Sequence, residues 1–487
     1  MKLPALLLLI FVAGCAATST TTTTAPVIST PATTTIPNLQ PYTDTPGTVA
    51  TYTTAGSIDQ TNHFFQPLGT NGRTCATCHQ LNQGMSISAS ATLALFNSTA
   101  GADPLFNAID GANCPSAVAS DRTARTLLLN NGLIRIPVTL PTTAQFTLSI
   151  IHDPYGCAIT TSTAGQQTVS IYRRPLPTAS LAYLSTVMWD TRETALALTS
   201  ATTCVQNLNS DLDQQLRDAV STHQQGTTAP TAAQIADSLI FEQGLFTAQA
   251  TDTLAGSLSS NGATGGPANL AAVLYYPGIN DAFGGDPQGK PFNPAAFNLY
   301  DAWRASNNSQ QASINRGQGV FNTAPMQITG VRGINDNPVL GSPANLRGSC
   351  STCHDTPNVG AHSLPLPMDT GTSHLATAET DPRILAGLAT LTAPDLPIYQ
   401  ITGCTDPNGK PIVYMTTDPG KGLFTGLCAD INRTKVPTLR GLASRAPYFH
   451  GGTATDLPQL VRFYNARFQM NLNAGQQADL VNFLNAL

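Results

Sequence analysis

Charged residues are scarce in this chain: they make up 10% of its 487 residues, with 23 Lys and Arg against 28 Asp and Glu. The net charge of -5 gives no basic stripe, which argues against a nucleic-acid-binding protein. Beyond the N-terminus no run of 18 consecutive apolar residues occurs, so we predict no membrane-spanning segment there. Hydrophobic residues still reach 41%, enough for packed interiors, and the length predicts two or three domains.

The first fifteen residues have the features of a lipoprotein-type signal peptide. One Lys precedes an apolar run that is too short to span a bilayer. The segment ends in Val-Ala-Gly-Cys, which resembles the bacterial lipoprotein box with Cys15 as the lipidated residue; an ordinary cleaved signal is the alternative. Residues 16–50 are rich in Thr and Pro, which predicts a disordered tether. We therefore expect a protein of the periplasm or cell envelope, lipid-anchored to the outer membrane.

Two segments repeat the pattern Cys-x-x-Cys-His. Structural zinc does not need a His directly after the second Cys, and a thioredoxin-like dithiol needs a preceding strand that the sequence does not indicate. Attachment of a c-type haem uses all three side chains, two thiols for the vinyl groups and the imidazole for the iron. We therefore predict two covalently attached haems. The residues that would bind them are Cys75, Cys78, His79, Cys350, Cys353 and His354.

Five further cysteines have to be placed in an oxidising compartment. Cys404 and Cys428 flank a hairpin-like stretch, and we predict a disulfide between them. Cys114 with Cys157 is the second pairing considered, and Cys204 is left over. Connectivity itself cannot be read from a sequence.

Four further segments resemble the bacterial di-haem cytochrome c peroxidases and the methylamine-utilisation enzyme MauG. They are MWDTR at 188–192, FEQGL at 241–245, RGQGVF at 316–321 with the second haem motif, and the stretch 435–452 that ends in PYFHGG. The resemblance implies a mainly α protein with two cytochrome c-like helical domains, 51–300 and 301–487, whose haems face the domain interface. Residues 96–170 have no counterpart, and their alternating apolar residues predict a small β-containing insertion in the first domain.

The resemblance also implies roles for single residues. His79 and His354 would be the proximal iron ligands, and Trp189 an electron relay between the haems. Tyr464 stands where the peroxidases place a methionine ligand and MauG-like proteins a tyrosine ligand. A phenolate there would lower the potential of the second haem; the alternative is a core aromatic. The competing donors are Met368, Met415 and Met470.

The far side of the first haem is less defined by the sequence. The peroxidases place a distal histidine soon after the motif, but no histidine stands between His79 and His152. Either this haem is five-coordinate and open, or His152, His223 or Met85 caps it.

The acid–base residues and the calcium site that the resemblance implies are also altered. Thr199 and Asn209 stand at the places of the family's Gln and Glu, so we take Glu193 and His223 as catalytic substitutes beside Trp189. A calcium ion between the domains would keep the carbonyl of Pro447 but lose an Asn ligand, because Pro175 stands at the place of that Asn.

Together these features predict an exported di-haem c-type oxidoreductase. It would reduce hydrogen peroxide with electrons from a small redox protein or dye-like donor. The electrons would enter at the His354 haem and pass Trp189 to the His79 haem. The alternatives are a non-enzymatic di-haem electron-transfer cytochrome and a MauG-like oxidase of an organic or protein substrate.

Overall fold

The computed structural model describes residues 34–487 except 119, 196–200 and 407, and for 201–206 it describes the backbone alone. The strands in this part of the chain are β1 (Thr35–Pro37), β2 (Pro41–Thr43), β3 (Gly47–Thr53), β4 (Ser57–Asp59), β5 (Ile134–Thr139), β6 (Thr147–His152), β7 (Ile159–Thr161), β8 (Gln167–Arg173), β9 (Leu245–Asp252), β10 (Gly256–Ser257), β11 (Met326–Ile328), β12 (Leu346–Gly348), β13 (Ile398–Thr405) and β14 (Pro411–Thr416). The helices are α1 (Ala89–Thr99), α2 (Thr126–Asn131), α3 (Ala201–Thr222), α4 (Ala232–Gln243), α5 (Pro267–Leu270), α6 (Ser309–Thr323), α7 (Pro382–Leu388), α8 (Lys421–Thr425), α9 (Leu457–Arg467) and α10 (Ala474–Asn485). No described helix is both long and apolar enough to cross a bilayer.

The strands form several small antiparallel sheets. The largest has the order β10-β9-β3-β2, and a second has the order β14-β13-β6. Two further sheets are β5-β8-β7 and the pair β11-β12. In the β14-β13-β6 sheet, Tyr399 of β13 is opposite Ile150 of β6, so the predicted insertion pairs with a hairpin from much later in the chain.

The prediction of a mainly α fold with two cytochrome c-like helical domains is wrong. About 30% of the residues are helical and 17% lie in strands, distributed over multiple sheets. The prediction depended on the haem motifs and their neighbours, whereas the segments between them are rich in Thr, Val and Ile. These β-branched residues pack well on a pleated, half-buried surface and favour extended structure.

The folded part of the chain begins inside the stretch 16–50 that the sequence predicts to be a tether. β1, β2 and most of β3 lie in that stretch, and one compact unit extends from Thr35 to Leu487. The predicted signal peptide, Cys15 and the tether up to residue 33 lie outside the described residues.

The C-terminal helices surround the second haem motif. α9 and α10 confirm the helical periodicity of the last thirty or so residues. α10 packs closely on α6, where a Cβ at Gly317 would lie 1.9 Å from the carbonyl oxygen of Asp479, so only glycine fits that crossing. The rings of Phe321 and Phe483 pack in a tilted arrangement in the same core, with centroids 5.6 Å apart.

Both disulfides expected from the cysteine count are present. Cys114 is bonded to Cys157, and Cys404 to Cys428. The second bond links β13 to a turn after α8, across the hairpin that the sequence indicates. The side chain of Cys204 lies outside the described part of the chain.

Candidate haem sites

The two Cys-x-x-Cys-His segments have the same local structure. Each begins with a single 3-10 turn, Cys75–Thr77 in the first and Cys350–Thr352 in the second. In both, the threonine hydroxyl accepts a hydrogen bond from the backbone N–H three residues earlier, at 2.9 Å and 3.0 Å. The turn therefore fixes both sulfur atoms and the following histidine on one side of the backbone.

The motif cysteines are half-buried free thiols rather than a redox pair. None of the four forms a disulfide. Burial raises the pKa of Cys78, Cys350 and Cys353 to about 12 and raises that of Cys75 as well. A reactive dithiol needs a lowered pKa, so the surroundings favour the neutral thiols that a vinyl group would consume.

Both motif histidines are oriented by a carbonyl group six residues later. The Nδ1 atom of His79 lies 3.2 Å from the carbonyl oxygen of Met85, and that of His354 lies 2.5 Å from the carbonyl oxygen of Gly360. Burial lowers the pKa of both imidazoles to about 4, so they are neutral at pH 7. With Nδ1 engaged, Nε2 is the atom left for a metal, the usual arrangement of a ligating histidine.

A large apolar cavity opens in front of His354. It contains about 1490 Å³ of empty space, solvent at its mouth included. Tyr464 and Met368 line it, together with Met326, a donor that the sequence analysis did not consider. The hydroxyl of Tyr464 has no hydrogen-bond partner among the described residues, and its ring stacks on Phe468 with a centroid distance of 5.8 Å. Met415 lies on β14 and Met470 in the hydrophobic core, and neither lines this cavity.

A second cavity, of about 1330 Å³ with its open mouth included, lies in front of His79. His223, Glu242, Gln215 and Met188 are among its lining residues. It thus contains two further groups with a donor atom suited to iron, an imidazole and a thioether.

His223 is held by a buried carboxylate. Its Nδ1 lies 2.5 Å from Asp110, whose other carboxylate oxygen accepts a hydrogen bond from Arg73. Burial opposes the charge of Asp110, but Arg73 and His223 outweigh it and keep the pKa of Asp110 low. The carboxylate therefore fixes the ring orientation of His223 and leaves Nε2 for chemistry.

Trp189 lies between the two cavities and lines both. Its indole N–H donates to the carbonyl oxygen of Arg174 at 2.7 Å, and its ring centroid is 5.9 Å from that of His450. Its own carbonyl accepts the backbone N–H of Lys435 at 2.8 Å. Trp189 is thus held through its indole N–H and through its backbone carbonyl.

The residue after Trp189 is fixed by a buried ionic network. Asp190 accepts hydrogen bonds from Arg173 at 2.6 Å and from Arg192 at 2.8 Å. Arg173 also pairs with Asp418 at 2.6 Å. Burial would raise the pKa of Asp190, but the two arginines lower it to about 2. The network fixes the loop that carries the indole.

Three buried cations near the cavities have no carboxylate partner among the residues that the structure describes. Arg174 and Lys435 line both cavities, and Arg445 lines the one in front of His354. They donate only to backbone carbonyl oxygens. Burial lowers the pKa of Lys435 to about 7, of Arg174 to about 9 and of Arg445 to about 10. Buried charges need counter-charges, and the propionates of two haems would supply them, so the residues present fit this group.

The remaining sequence candidates lie away from the cavities. His152 is about half exposed on β6 and pairs with Asp395 at 2.8 Å, and the Met85 side chain is fully buried in a separate apolar cluster. Neither side chain lines the cavity in front of His79. Asn209 is exposed and accepts a hydrogen bond from Gln243, while Thr199 lies outside the described residues.

Glu193, expected as an acid–base group, lies behind Arg192 instead of on the cavity wall. Its carboxylate is 3.7 Å from that guanidinium. Burial and a hydrogen bond with Asp218 raise the pKa of Glu193 to about 7. Glu193 can therefore hold a proton near neutral pH, one residue removed from the cavity wall.

At the expected calcium position, Pro175 and Pro447 both line the cavity in front of His354, and the Pro175 carbonyl accepts a hydrogen bond from Ser86 at 2.7 Å. Calcium at this place stays a prediction.

Sequence reasoning missed Glu242 and Asp110. Glu242 lies in the FEQGL segment, where an acid next to Phe241 was the available signal. Asp110 gave none.

Comparison with known proteins gives a partial match. No family model matches the chain. Over 150 residues it is 32% identical to the cytochrome-c peroxidase IdrP2 of Denitromonas iodatirespirans, which covers 29% of this chain and only 36% of that protein. A solved MauG-like protein associated with microbial copper homeostasis is 15% identical, with 68% of this chain and 77% of that chain covered and a TM-score of 0.29. The sequence match supports the resemblance noted in the motifs.

Proposed function

We propose that this chain is a di-haem c-type oxidoreductase of the peroxidase and MauG type that reduces hydrogen peroxide at the His79 site. The observation that carries the proposal is the pair of identical Cys-x-x-Cys-His turns, each opening into a cavity, with Trp189 on the wall of both. The haems, when bound, supply the electron-transfer and peroxide chemistry. The residues that would hold them are Cys75, Cys78 and His79 in one site and Cys350, Cys353 and His354 in the other.

The two cavities support different tasks. Tyr464 offers an unpartnered phenol in front of His354, so we assign this site to electron entry, with Tyr464 as the sixth ligand. Electrons would then cross at Trp189, whose loop is fixed by the Asp190 network.

His223 is our proton carrier at the other site. Reduction of hydrogen peroxide to two waters consumes two electrons and two protons, so a group that delivers protons in the cavity is required. His223 lines that cavity and is oriented by Asp110 at 2.5 Å. Glu193 with Asp218 would replenish the proton from behind Arg192.

The setting of the reaction is proposed from the sequence alone. Residues 1–15 support export and a lipid anchor, which would place the protein in the periplasm or cell envelope, on the outer membrane. The electron donor would be a small redox protein or a dye-like molecule. Calcium between the two halves is a further proposal.

The test is a steady-state assay of the haem-loaded protein with hydrogen peroxide and a reduced cytochrome or dye. We expect His223→Gln to lower kcat by about 10²- to 10⁴-fold, and Trp189→Phe to slow transfer from a reduced His354 site in a stopped-flow experiment. His152→Gln is the matched control, because this histidine also pairs with an aspartate but lies on the surface; it should keep wild-type turnover. Wild-type turnover no faster than that of free haem would overturn the proposal.

A MauG-like oxidase is the second candidate, favoured by the tyrosine in front of His354. It would oxidise an organic or protein substrate with peroxide as the oxidant. Ligand binding separates these enzymes from a non-enzymatic carrier: cyanide or carbon monoxide should bind one haem in an enzyme and neither haem in a carrier.

A further inference from the structure

A buried group of three metal-ligating side chains lies outside both haem cavities. Asp281 belongs to the long loop between α5 and α6, while Asp355 and His362 belong to the loop that follows the second haem motif. One ligand atom from each lies within 4.8 Å of the other two. The three residues are 1%, 0% and 3% exposed. Neither cavity is lined by any of them.

Each aspartate has one oxygen fixed by backbone N–H groups and a second oxygen that faces the imidazole of His362. Oδ2 of Asp281 accepts the N–H groups of Phe283 and Gly285 at 3.0 Å and 2.6 Å. Oδ1 of Asp355 accepts the N–H of Ser363 at 2.7 Å. In contrast, Oδ1 of Asp281 and Oδ2 of Asp355 are buried and have no hydrogen-bond partner within the described residues. A buried polar atom left unsatisfied is costly, so these two oxygens indicate a missing ligand.

The imidazole of His362 completes the group. Its Nδ1 lies 2.8 Å from Oδ2 of Asp355 and its Nε2 lies 3.9 Å from Oδ1 of Asp281. Both ring nitrogens lack a hydrogen bond of normal geometry to any described residue, and the ring packs edge-on against Phe283. His362 can offer only one of its two nitrogens to an ion, and with one ligand atom from each residue the three atoms lie within 4.8 Å of one another. That is near the separation of ligand atoms that share one ion with bonds of about 2.0–2.2 Å.

We propose that Asp281, Asp355 and His362 bind one divalent transition-metal ion, with Zn²⁺ as the expected ion. Calcium and magnesium prefer all-oxygen shells, whereas an imidazole with two carboxylates suits zinc. Three protein ligands leave a fourth position for water.

The ion would link two loops around the second haem motif. Asp355 directly follows His354, and Gly360, whose carbonyl orients the His354 ring, lies in the same loop. The loop of Asp281 already contacts it through the side chain of Asn280, which donates to the carbonyl oxygen of Asp355 at 3.0 Å. The ion therefore holds the segment that sets the orientation of His354, and its loss should change the environment of that histidine.

The experiment measures metal content in the full-length, haem-loaded protein purified without chelator. We expect one zinc per chain beyond the haem iron by inductively coupled plasma mass spectrometry. Asp281→Asn and His362→Gln should each lose it. His374→Gln is the matched control, because His374 lies 2.8 Å from Asp369 in a mostly buried pair, and the described part of the chain adds no third metal-ligating group to it. This variant should keep the zinc.

A titration of wild-type protein decides the question without any variant. After dialysis against a chelator, added Zn²⁺ should bind saturably at one equivalent, raise the unfolding temperature and shift the visible spectrum of the haem at His354. Failure to bind Zn²⁺ under these conditions would overturn the proposal and leave a histidine held between two carboxylates. Binding that survives unchanged in His362→Gln would overturn it as well.

Discussion

Glu242 provides the sharpest test of the electrostatics around the His79 site. It lies on α4, is 4% exposed and lines the cavity in front of His79. No described residue gives its carboxyl group a hydrogen bond. Burial raises the pKa of Glu242 from 4.5 to about 8, so the group is a neutral acid at pH 7. Replacement by Gln keeps its shape and removes the ionisation.

The magnitude follows from linkage between proton binding and folding. A pKa of about 8 against 4.5 corresponds to about 5 kcal/mol. Below pH 4.5 both the folded and the unfolded chain hold the proton, so Glu242 causes no pH dependence there. Between pH 4.5 and 8 only the unfolded chain releases it, and the free energy of unfolding falls by about 1.4 kcal/mol per pH unit from this group. Above pH 8 the loss is complete.

The assay is urea unfolding of the haem-loaded protein at pH 5, 6, 7, 8 and 9. We expect Glu242→Gln to gain stability over the wild type as the pH rises, by about 4 kcal/mol between pH 5 and pH 9. Glu379→Gln is the control, because Glu379 is exposed and the same substitution should leave the pH profile of the wild type. A second readout is the potential of the His79 haem, which should fall above pH 8 in the wild type only, since ionised Glu242 adds a negative charge.

The prediction fails if the stability difference between Glu242→Gln and wild type is constant from pH 5 to pH 9. That result would mean that the carboxyl group ionises in the folded protein as it does in water, through contact with solvent or with a cation. The potential would then also follow the same pH profile in both proteins.

Two further predictions concern the second haem and the C-terminal disulfide. If Tyr464 is a ligand, Tyr464→Met should raise the potential of the His354 haem and change its visible spectrum, while Tyr414→Phe on β14 should change neither; an unaltered Tyr464→Met spectrum contradicts ligation. Replacing Cys404 and Cys428 by Ser opens a bridge with a sequence separation of 24, which should lower the free energy of unfolding by about 3.5 kcal/mol; equal urea midpoints for variant and wild type contradict this.

The local parts of both sites could be predicted because they depend on short sequence spacing. In both motifs a threonine or serine precedes the first Cys and a threonine precedes the second Cys. These two side chains cap one short turn in each copy. The C-terminal helices and the Cys404–Cys428 disulfide could also be predicted, since apolar periodicity and a flanked hairpin are local patterns. The β5 and β6 strands followed from alternation in the same way.

The fold class could not be predicted, because sheet pairing is long-range. β3 pairs with β9 almost two hundred residues later, and β6 pairs with β13 across about 250 residues. No window of sequence contains both strands of such a pair. The family that the haem motifs resemble is helical, and the prediction extended this to segments that contain few motif residues. The Thr, Val and Ile content of those segments favours strands instead.

The same limit applies to the residues that the sequence missed. Asp110 and His223 meet across 113 residues, and Asp281 meets His362 across about 80. A single aspartate in a polar loop carries no sign that it is buried beside a histidine. Such contacts are defined by topology, so they become visible only when the chain is folded.

The two haem motifs also show how equal anchors can produce unlike sites. The carbonyl that orients each histidine comes from a residue with left-handed backbone, Met85 with φ 58° and Gly360 with φ 78°. The left-handed conformation is less favourable for a methionine than for a glycine. The chain nevertheless adopts it at Met85, and this turn of the backbone points the carbonyl at His79. What distinguishes the sites therefore comes from elsewhere: a phenol from α9 stands before His354, and an imidazole held by Asp110 stands before His79. Because these groups arrive from distant parts of the chain, each site's far side can change without altering its anchor. The proposed division between electron entry and peroxide reduction rests on these two groups.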